Sequence, residues 1–284
     1  MKRFLLFKVA LLGLLFQASS SGDALAQIPE RKIIVQDNRY FFTTVADEFQ
    51  LATLHTAALA LPPAAATQLA LPAGRNYDEP VNLFSWDVRG SWLFAINFLN
   101  HPMNDRYEAL KRLPLQELKS TDSAGRVQGL LLQSTEQYTY TDLAPYRFLK
   151  QQTHMLDHFF YDMVATDTNS LYVVLNNAGN WWLWHFNGTA WWQKPGTGIS
   201  LNEPFSIFYL KNELYLFTEN GRLYRIDTGT GTAVPKVIPK KTVLRRGGIL
   251  LEDRDAQQLY WLAAEDFNPQ QTISILKQKG VRLL

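Results

Sequence analysis

The sequence predicts an all-β chain in which one short antiparallel unit recurs about six times. Three observations lead there. Runs rich in Tyr, Trp, Phe, Val and Ile alternate apolar with polar residues, the two-residue period of a half-buried strand. Clusters of Gly, Asn and Asp bound these runs, and such residues tolerate the positive φ of tight turns. The runs also return at a regular interval, 43 residues from Tyr172 to Tyr215 and 45 from Tyr215 to Tyr260.

Taken from its start, the chain opens on what reads as an export signal. Lys2 and Arg3 precede an apolar stretch, Phe4 to Phe16, interrupted only by Lys8. Ala24-Leu25-Ala26 then supplies the small-x-small pattern at which signal peptidase cuts. The stretch is shorter than the roughly 20 apolar residues a spanning helix needs. Residues 1–26 are expected to be removed, leaving residues 27–284 as a single secreted or periplasmic domain. No integral membrane segment is expected after cleavage. The richest remaining candidate, Leu51 to Ala73, is broken by Pro62, Pro63 and Pro72, each of which removes a helical hydrogen bond.

Cleavage also changes the charge. The segment carries Lys2, Arg3 and Lys8 against Asp23, so 28 basic and 26 acidic residues become 25 of each. A neutral chain is a poor electrostatic partner for nucleic acid. The one concentrated positive feature, Lys240-Lys241 with Arg245-Arg246, reads as a solvated loop. There is no cysteine, so thiol catalysis, thiolate metal sites and disulfide staples are all excluded, and the fold must rest on its core.

The repeat is clearest between Ser170 and Ile226. Ser170 to Leu175 is a strand, Asn176 to Asn180 a turn, Trp181 to Phe186 a strand, Asn187-Gly188 a turn, and Thr189 to Gln193 a third strand. Leu214 to Phe217, Asn220-Gly221 and Arg222 to Ile226 repeat strand, turn and strand. Leu259 to Leu262, Ser91 to Ile96 and Arg39 to Phe42 have the same form. The key aromatics fall at 40, 92, 172, 215 and 260, and the 80-residue gap after Trp92 leaves room for a further unit near Gly129 to Leu132. Tyr107 to Lys111 and Ile273 to Lys277 read as matching strands after Asn-Pro-containing connections. A helix over Asp105 to Leu118 would have to pass Pro114.

Six units averaging about 43 residues suit the four-stranded blades of a β-propeller, in which neighbouring sheets cover one another's faces. Irregular early units leave five or seven blades as alternatives, and a β-sandwich as a different all-β solution. The pattern resembles β-propeller repeat proteins and is loosely kelch-like in its Leu-Tyr strand followed by a Gly turn. The kelch double glycine occurs once, at Gly247-Gly248, and the Trp-Asp pair of WD repeats once, at Trp86-Asp87. Neither recurs with the period, so the resemblance implies a fold and no site residues.

Candidate chemistry is sparse. Trp181, Trp182, Trp184, Trp191 and Trp192 lie within twelve positions. On alternating strands they divide between the two faces, one set filling the space between blades and the other available to stack on a sugar ring. Asp87, His158 and Asp162 are candidates for the mouth of the central channel, and Asp167, Asp253 and Asp255 lie near corresponding strands. Glycoside chemistry needs two carboxyl groups facing one bond, whereas Asp in turns more commonly bonds local amides. His154 and His158 are four apart without an HExxH motif, so no metal is expected, and His55, His101 and His185 read as ordinary satisfied side chains. Thr228-Gly229-Thr230-Gly231-Thr232 is a loop, and Asn187-Gly188-Thr189 matches a glycosylation acceptor. No phosphate loop, dinucleotide fingerprint or nucleophile elbow occurs, and no cofactor is implied. The sequence therefore points to an exported binding or interaction module for a glycan or an envelope or extracellular protein. The alternative is a hydrolase or lyase acting on carbohydrate or ester through acidic residues at the channel mouth.

Overall fold

The computed structural model describes residues 32–45, 52–69, 85–97, 109–115, 139–140, 159–238 and 248–284. Residues 1–26, Gly129 to Leu132, His101, His154, His158 and the basic residues between Lys240 and Arg246 lie outside the described residues. The described chain is mostly strand, and its sheets follow one another along the sequence.

The first sheet comprises β1 (Lys32–Gln36), β2 (Arg39–Val45), β3 (Ala52–Ala58) and β4 (Thr67–Leu69). The second holds β5 (Ser85–Arg89), β6 (Trp92–Asn97), β7 (Ala109–Pro114) and β8 (Thr139–Tyr140). The third holds β9 (Phe159–Ala165), β10 (Leu171–Asn177), β11 (Asn180–Phe186) and β12 (Trp191–Pro195). The fourth holds β13 (Phe205–Leu210), β14 (Glu213–Thr218), β15 (Leu223–Asp227) and β16 (Thr232–Lys236), and the last β17 (Ile249–Asp253), β18 (Gln258–Leu262) and β19 (Val281–Arg282). Within each unit consecutive strands pair antiparallel, while β1 and β17 pair parallel, Lys32 with Leu250 through Val35 with Asp253, and so join the last unit to the first.

Five apolar clusters lie between the five units. Ile34 and Leu54 pack with Trp86 and Leu93 between the first and second. Phe94 packs with Met163 and Val173 between the second and third, and Val164 and Trp181 with Ile207 and Leu216 between the third and fourth. Phe208 and Tyr215 meet Leu250 and Trp261 between the fourth and fifth, and Leu251 and Leu262 meet Ile33 and Phe42 between the fifth and first. Each sheet thus has both faces covered by its neighbours, a propeller-like arrangement, and each fully buried Leu, Ile or Phe contributes about 1.5–3 kcal/mol.

Two expectations differ from what is described. The described units number five against the six expected; Gly129 to Leu132, read as part of a further unit, lies outside the described residues, between β7 and β8 in sequence. Ile273–Lys279 forms helix α1 and not a strand. Its buried residues are Ile273 and Leu276, three apart as a helical face requires, and both complete the cluster between the fifth and first sheets. The strand read over Tyr107 to Lys111 is present in its described part as β7, Ala109–Pro114, which Pro114 closes opposite Trp92.

The tight turns between inner and second strands explain the shared phase. Lys211 and Asn212 have φ of 53° and 60°, and Asp37 and Asn38 have 54° and 57°, the two-residue hairpin whose twist matches that of the strands.

His55 on β3 carries a pH signature. It is 2% exposed, stacks on Phe42 at 5.0 Å and shares a 2.9 Å hydrogen bond with Thr44 through Nε2. Its buried Nδ1 has no partner, and burial lowers its pKa to about 4. The unfolded chain takes this proton near pH 6.5 while the folded protein resists it down to about 4. Stability is therefore full above 6.5 and falls as the pH drops through that window. Thermal midpoints from pH 7.5 to 4.5 should decline more steeply in the native protein than in His55→Phe; equal slopes would remove this role.

Candidate functional site

The inner strands carry a buried charge network. Asp87 on β5 is fully buried; its Oδ2 accepts from the Ala165 amide of β9 at 2.7 Å and its Oδ1 from Arg254 at 2.5 Å. Arg254, just past β17, also donates to both oxygens of Glu252, at 2.9 and 3.0 Å, and to the Val88 carbonyl. Burial alone would lower the Arg254 pKa, but the charges of Asp87 and Glu252 outweigh it and hold it above the ordinary arginine value. Arg89 donates to the carbonyls of Ala165 at 2.9 Å and Tyr209 at 3.4 Å. Burial, then the charge of Arg254, lowers the Arg89 pKa, with Asp87 and Glu252 opposing.

Asp162 on β9 is engaged in the same way. Its Oδ1 accepts from Ser85 Oγ of β5 at 2.6 Å and its Oδ2 from the Ile207 amide of β13 at 2.9 Å. Both channel-mouth aspartates therefore lie on inner strands, yet they link three units apiece instead of presenting open oxygens. The sequence reading missed Arg254, the cation that draws Asp87 inward; its signal was an arginine set among Glu252, Asp253 and Asp255. Of the other aspartates, Asp167 accepts from the Asn169 amide and Asp253 from the Ala256 amide, both local turn bonds. Asp253 also pairs with Lys277 of α1, and Asp255 accepts from the Asp37 and Asn38 amides across the fifth-to-first seam.

An open cleft of about 220 Å³ lies between the third and fourth sheets, lined by Tyr172, Tyr209, Asn212, Glu213, Leu214, Arg225, Ile226, Asp227 and Thr228. Its residues come from the end of β13, the Lys211-Asn212 turn, the start of β14, the end of β15 and the start of β10, at one end of the two sheets. Tyr172 is stacked between His185, at 4.4 Å, and Tyr209, at 6.4 Å. The Arg89 guanidinium lies 5.8 Å from the Tyr209 ring and joins the cleft to the axial network. Burial raises the Tyr172 phenol above its usual pKa despite a hydrogen bond with Thr228.

On the polar wall, Glu213 accepts from the Tyr215 hydroxyl and from Arg225 at 2.9 Å. These two hydrogen bonds, Tyr215 first, hold its pKa below the usual glutamate value. Asp227 Oδ1 accepts from the Gly229 and Thr230 amides at 2.8 and 3.1 Å, fixing the following loop. A carboxylate so held recognises hydroxyl groups by accepting hydrogen bonds; it is a poor proton donor. Among the described residues, no three His, Asp or Glu side chains converge as metal ligands, and no helix is long and apolar enough to cross a membrane.

The tryptophans divide as the strand alternation requires, but mostly into core. Trp181 fills the space between the third and fourth sheets and donates to the Ile199 carbonyl at 3.2 Å. Trp184 belongs to the cluster between the second and third sheets, with Trp182 and Trp191 packed against it. Trp192 differs: it is 60% exposed on the outer strand β12. His185 shares a 2.9 Å hydrogen bond with Ser170, and burial lowers its pKa, Asp167 opposing.

No protein-family model matches the chain, and no curated protein matches it. Among solved structures, the glutaminyl cyclase of Myxococcus xanthus is similar at 11% identity over 84% of this chain and 86% of its own, with a TM-score of 0.41. The α-L-arabinofuranosidase of Podospora anserina, in complex with cellotriose, is similar at 14% identity over 87% of this chain and 86% of its own, with a TM-score of 0.46. At such distances neither neighbour's chemistry transfers to this chain.

Proposed function

We propose that this protein is a five-bladed, exported β-propeller that binds a glycan in the cleft between its third and fourth blades. The observation that carries the reading is the cleft's construction. Stacked Tyr172 and Tyr209 form one wall, and Asn212, Glu213, Arg225 and Asp227 the other. A sugar presents an apolar C–H face and a rim of hydroxyls, which such a pair of walls complements. The cleft's near balance of charge, with Glu213 paired to Arg225, favours a neutral sugar over a strongly ionic one. Calorimetric titration with neutral mono- and oligosaccharides tests this. Tyr209→Ala is expected to weaken binding about tenfold or more, the loss of one aromatic stacking surface, while leaving the thermal midpoint within a few degrees. No heat with any sugar would overturn the reading.

A second reading is an enzyme of the same fold, as both neighbours are by name. It requires a carboxyl group that can exchange a proton with substrate, and Asp162, 7% exposed on β9, is the described candidate nearest to solvent on the inner strands. Turnover of a polysaccharide or ester panel that Asp162→Asn abolishes and Tyr209→Ala spares would favour it.

A further inference from the structure

Trp192 is an aromatic side chain left 60% exposed, and the strand register shows where it stands. Trp192 lies directly opposite His185, and His185 directly opposite Tyr172. Directly opposed residues of antiparallel strands project from the same face. His185 stacks on Tyr172 at 4.4 Å, and Tyr172 on Tyr209 at 6.4 Å. A row of four rings therefore crosses the third sheet from its outer edge to the cleft. Two strand intervals of about 4.8 Å separate Trp192 from Tyr172, which places the exposed indole about 10 Å outside the cleft.

The flank of this row is braced. Lys194, two residues beyond Trp192 and on the same face, donates to the Gly229 carbonyl in the loop after Asp227. Thr197 bonds Thr232, 3.0 Å away, and its amide donates to the Gly231 carbonyl. The outer strand of the third sheet is thereby fastened to the loop that bounds the cleft, and Trp192 is held beside the cleft's outer side.

We infer that Trp192 is an outlying subsite for the same ligand, so that the protein recognises an oligosaccharide chain running outward from the cleft rather than a single sugar. The inference rests on the glycan reading above. A rigid indole at a fixed remove suits the flat apolar face of a further sugar ring. His185, half-buried between the two positions, is a ring over which the chain can pass.

The test is calorimetric titration of the full protein with malto-, cello-, xylo- and chito-oligosaccharide ladders of one to six units. Affinity should rise from one unit to three or four and then level off. Trp192→Ala should lower affinity for the longer oligomers about tenfold while leaving the single sugar and the thermal midpoint unchanged, and Trp192→Phe should restore part of the loss. If sugars bind and Tyr209→Ala abolishes binding, but Trp192→Ala has no effect at any length, the outlying subsite is wrong and the cleft reading stands. If no ladder binds, both fall, and an exposed Trp192 belongs to a protein contact instead.

Discussion

Arg254→Met is expected to lower the unfolding free energy by about 3–5 kcal/mol, the cost of leaving buried charges without their partner. The guanidinium is 3% exposed and holds Asp87 and Glu252, each 1% exposed. Removing it leaves two anions in one dry region and the Val88 carbonyl without its donor. The effect should be strongly non-additive. Adding Asp87→Asn and Glu252→Gln to Arg254→Met should return much of the loss, because the carboxamide at position 87 can still accept from the Ala165 amide and none of these three charges remains buried. Urea unfolding of the single and triple variants decides it. A single-variant loss below about 1 kcal/mol would mean that the network is solvated and does not bind the inner strands together.

Gly196→Ala is expected to cost about 3 kcal/mol, the upper part of the range for forcing one methyl into a packed interior. A Cβ on Gly196 would fall inside the indole of Trp181. That indole has no room to retreat: Trp181 is 2% exposed, its N–H is committed to the Ile199 carbonyl, and its own carbonyl accepts from the Gly196 amide at 2.7 Å. Gly90→Ala is the control. Gly90 has φ of 54° with nothing within 4 Å of an added Cβ, so it should cost only the backbone penalty of about 1 kcal/mol. Equal losses at the two positions, measured by thermal unfolding, would contradict the packing described around Trp181.

Much of the architecture was legible because strand period and turn chemistry are local. Tyr40, Trp92, Tyr172, Tyr215 and Tyr260 all fall on the second strand of a unit, β2, β6, β10, β14 and β18, so the phase of the repeat could be read from single residues. The count is less legible where intervals are long, because an interval alone does not distinguish a connection from a further unit. Ile273-Ser274-Ile275 alternates as a strand does while Ile273 and Leu276 share a helical face, and over so short a run the cluster that the latter pair fills decides.

The candidate site was less legible, for a related reason. Asp87 and Asp162 stand on β5 and β9, but their partners Arg254, Ser85 and Ile207 are 45 to 167 positions away, and no spacing rule reaches that far. The cleft's parts were visible singly, Tyr172 as a repeat aromatic and Thr228 as the start of a loop. Only the packing of the third sheet on the fourth brings them together. Trp density drew attention to the third unit, and four of those five indoles proved to be fully or partly packed; the one that stays exposed stands beside the cleft.

Hydrogen–deuterium exchange with and without a saturating mixture of malto-, cello-, xylo- and chito-oligosaccharides tests the central claim most directly. Sugar is expected to slow exchange at the start of β10, through 209–214 and through 225–228, the segments that line the cleft, and at β12 around Trp192, with the remaining described strands unchanged. No protection anywhere, or protection confined to segments that do not line the cleft, would contradict it.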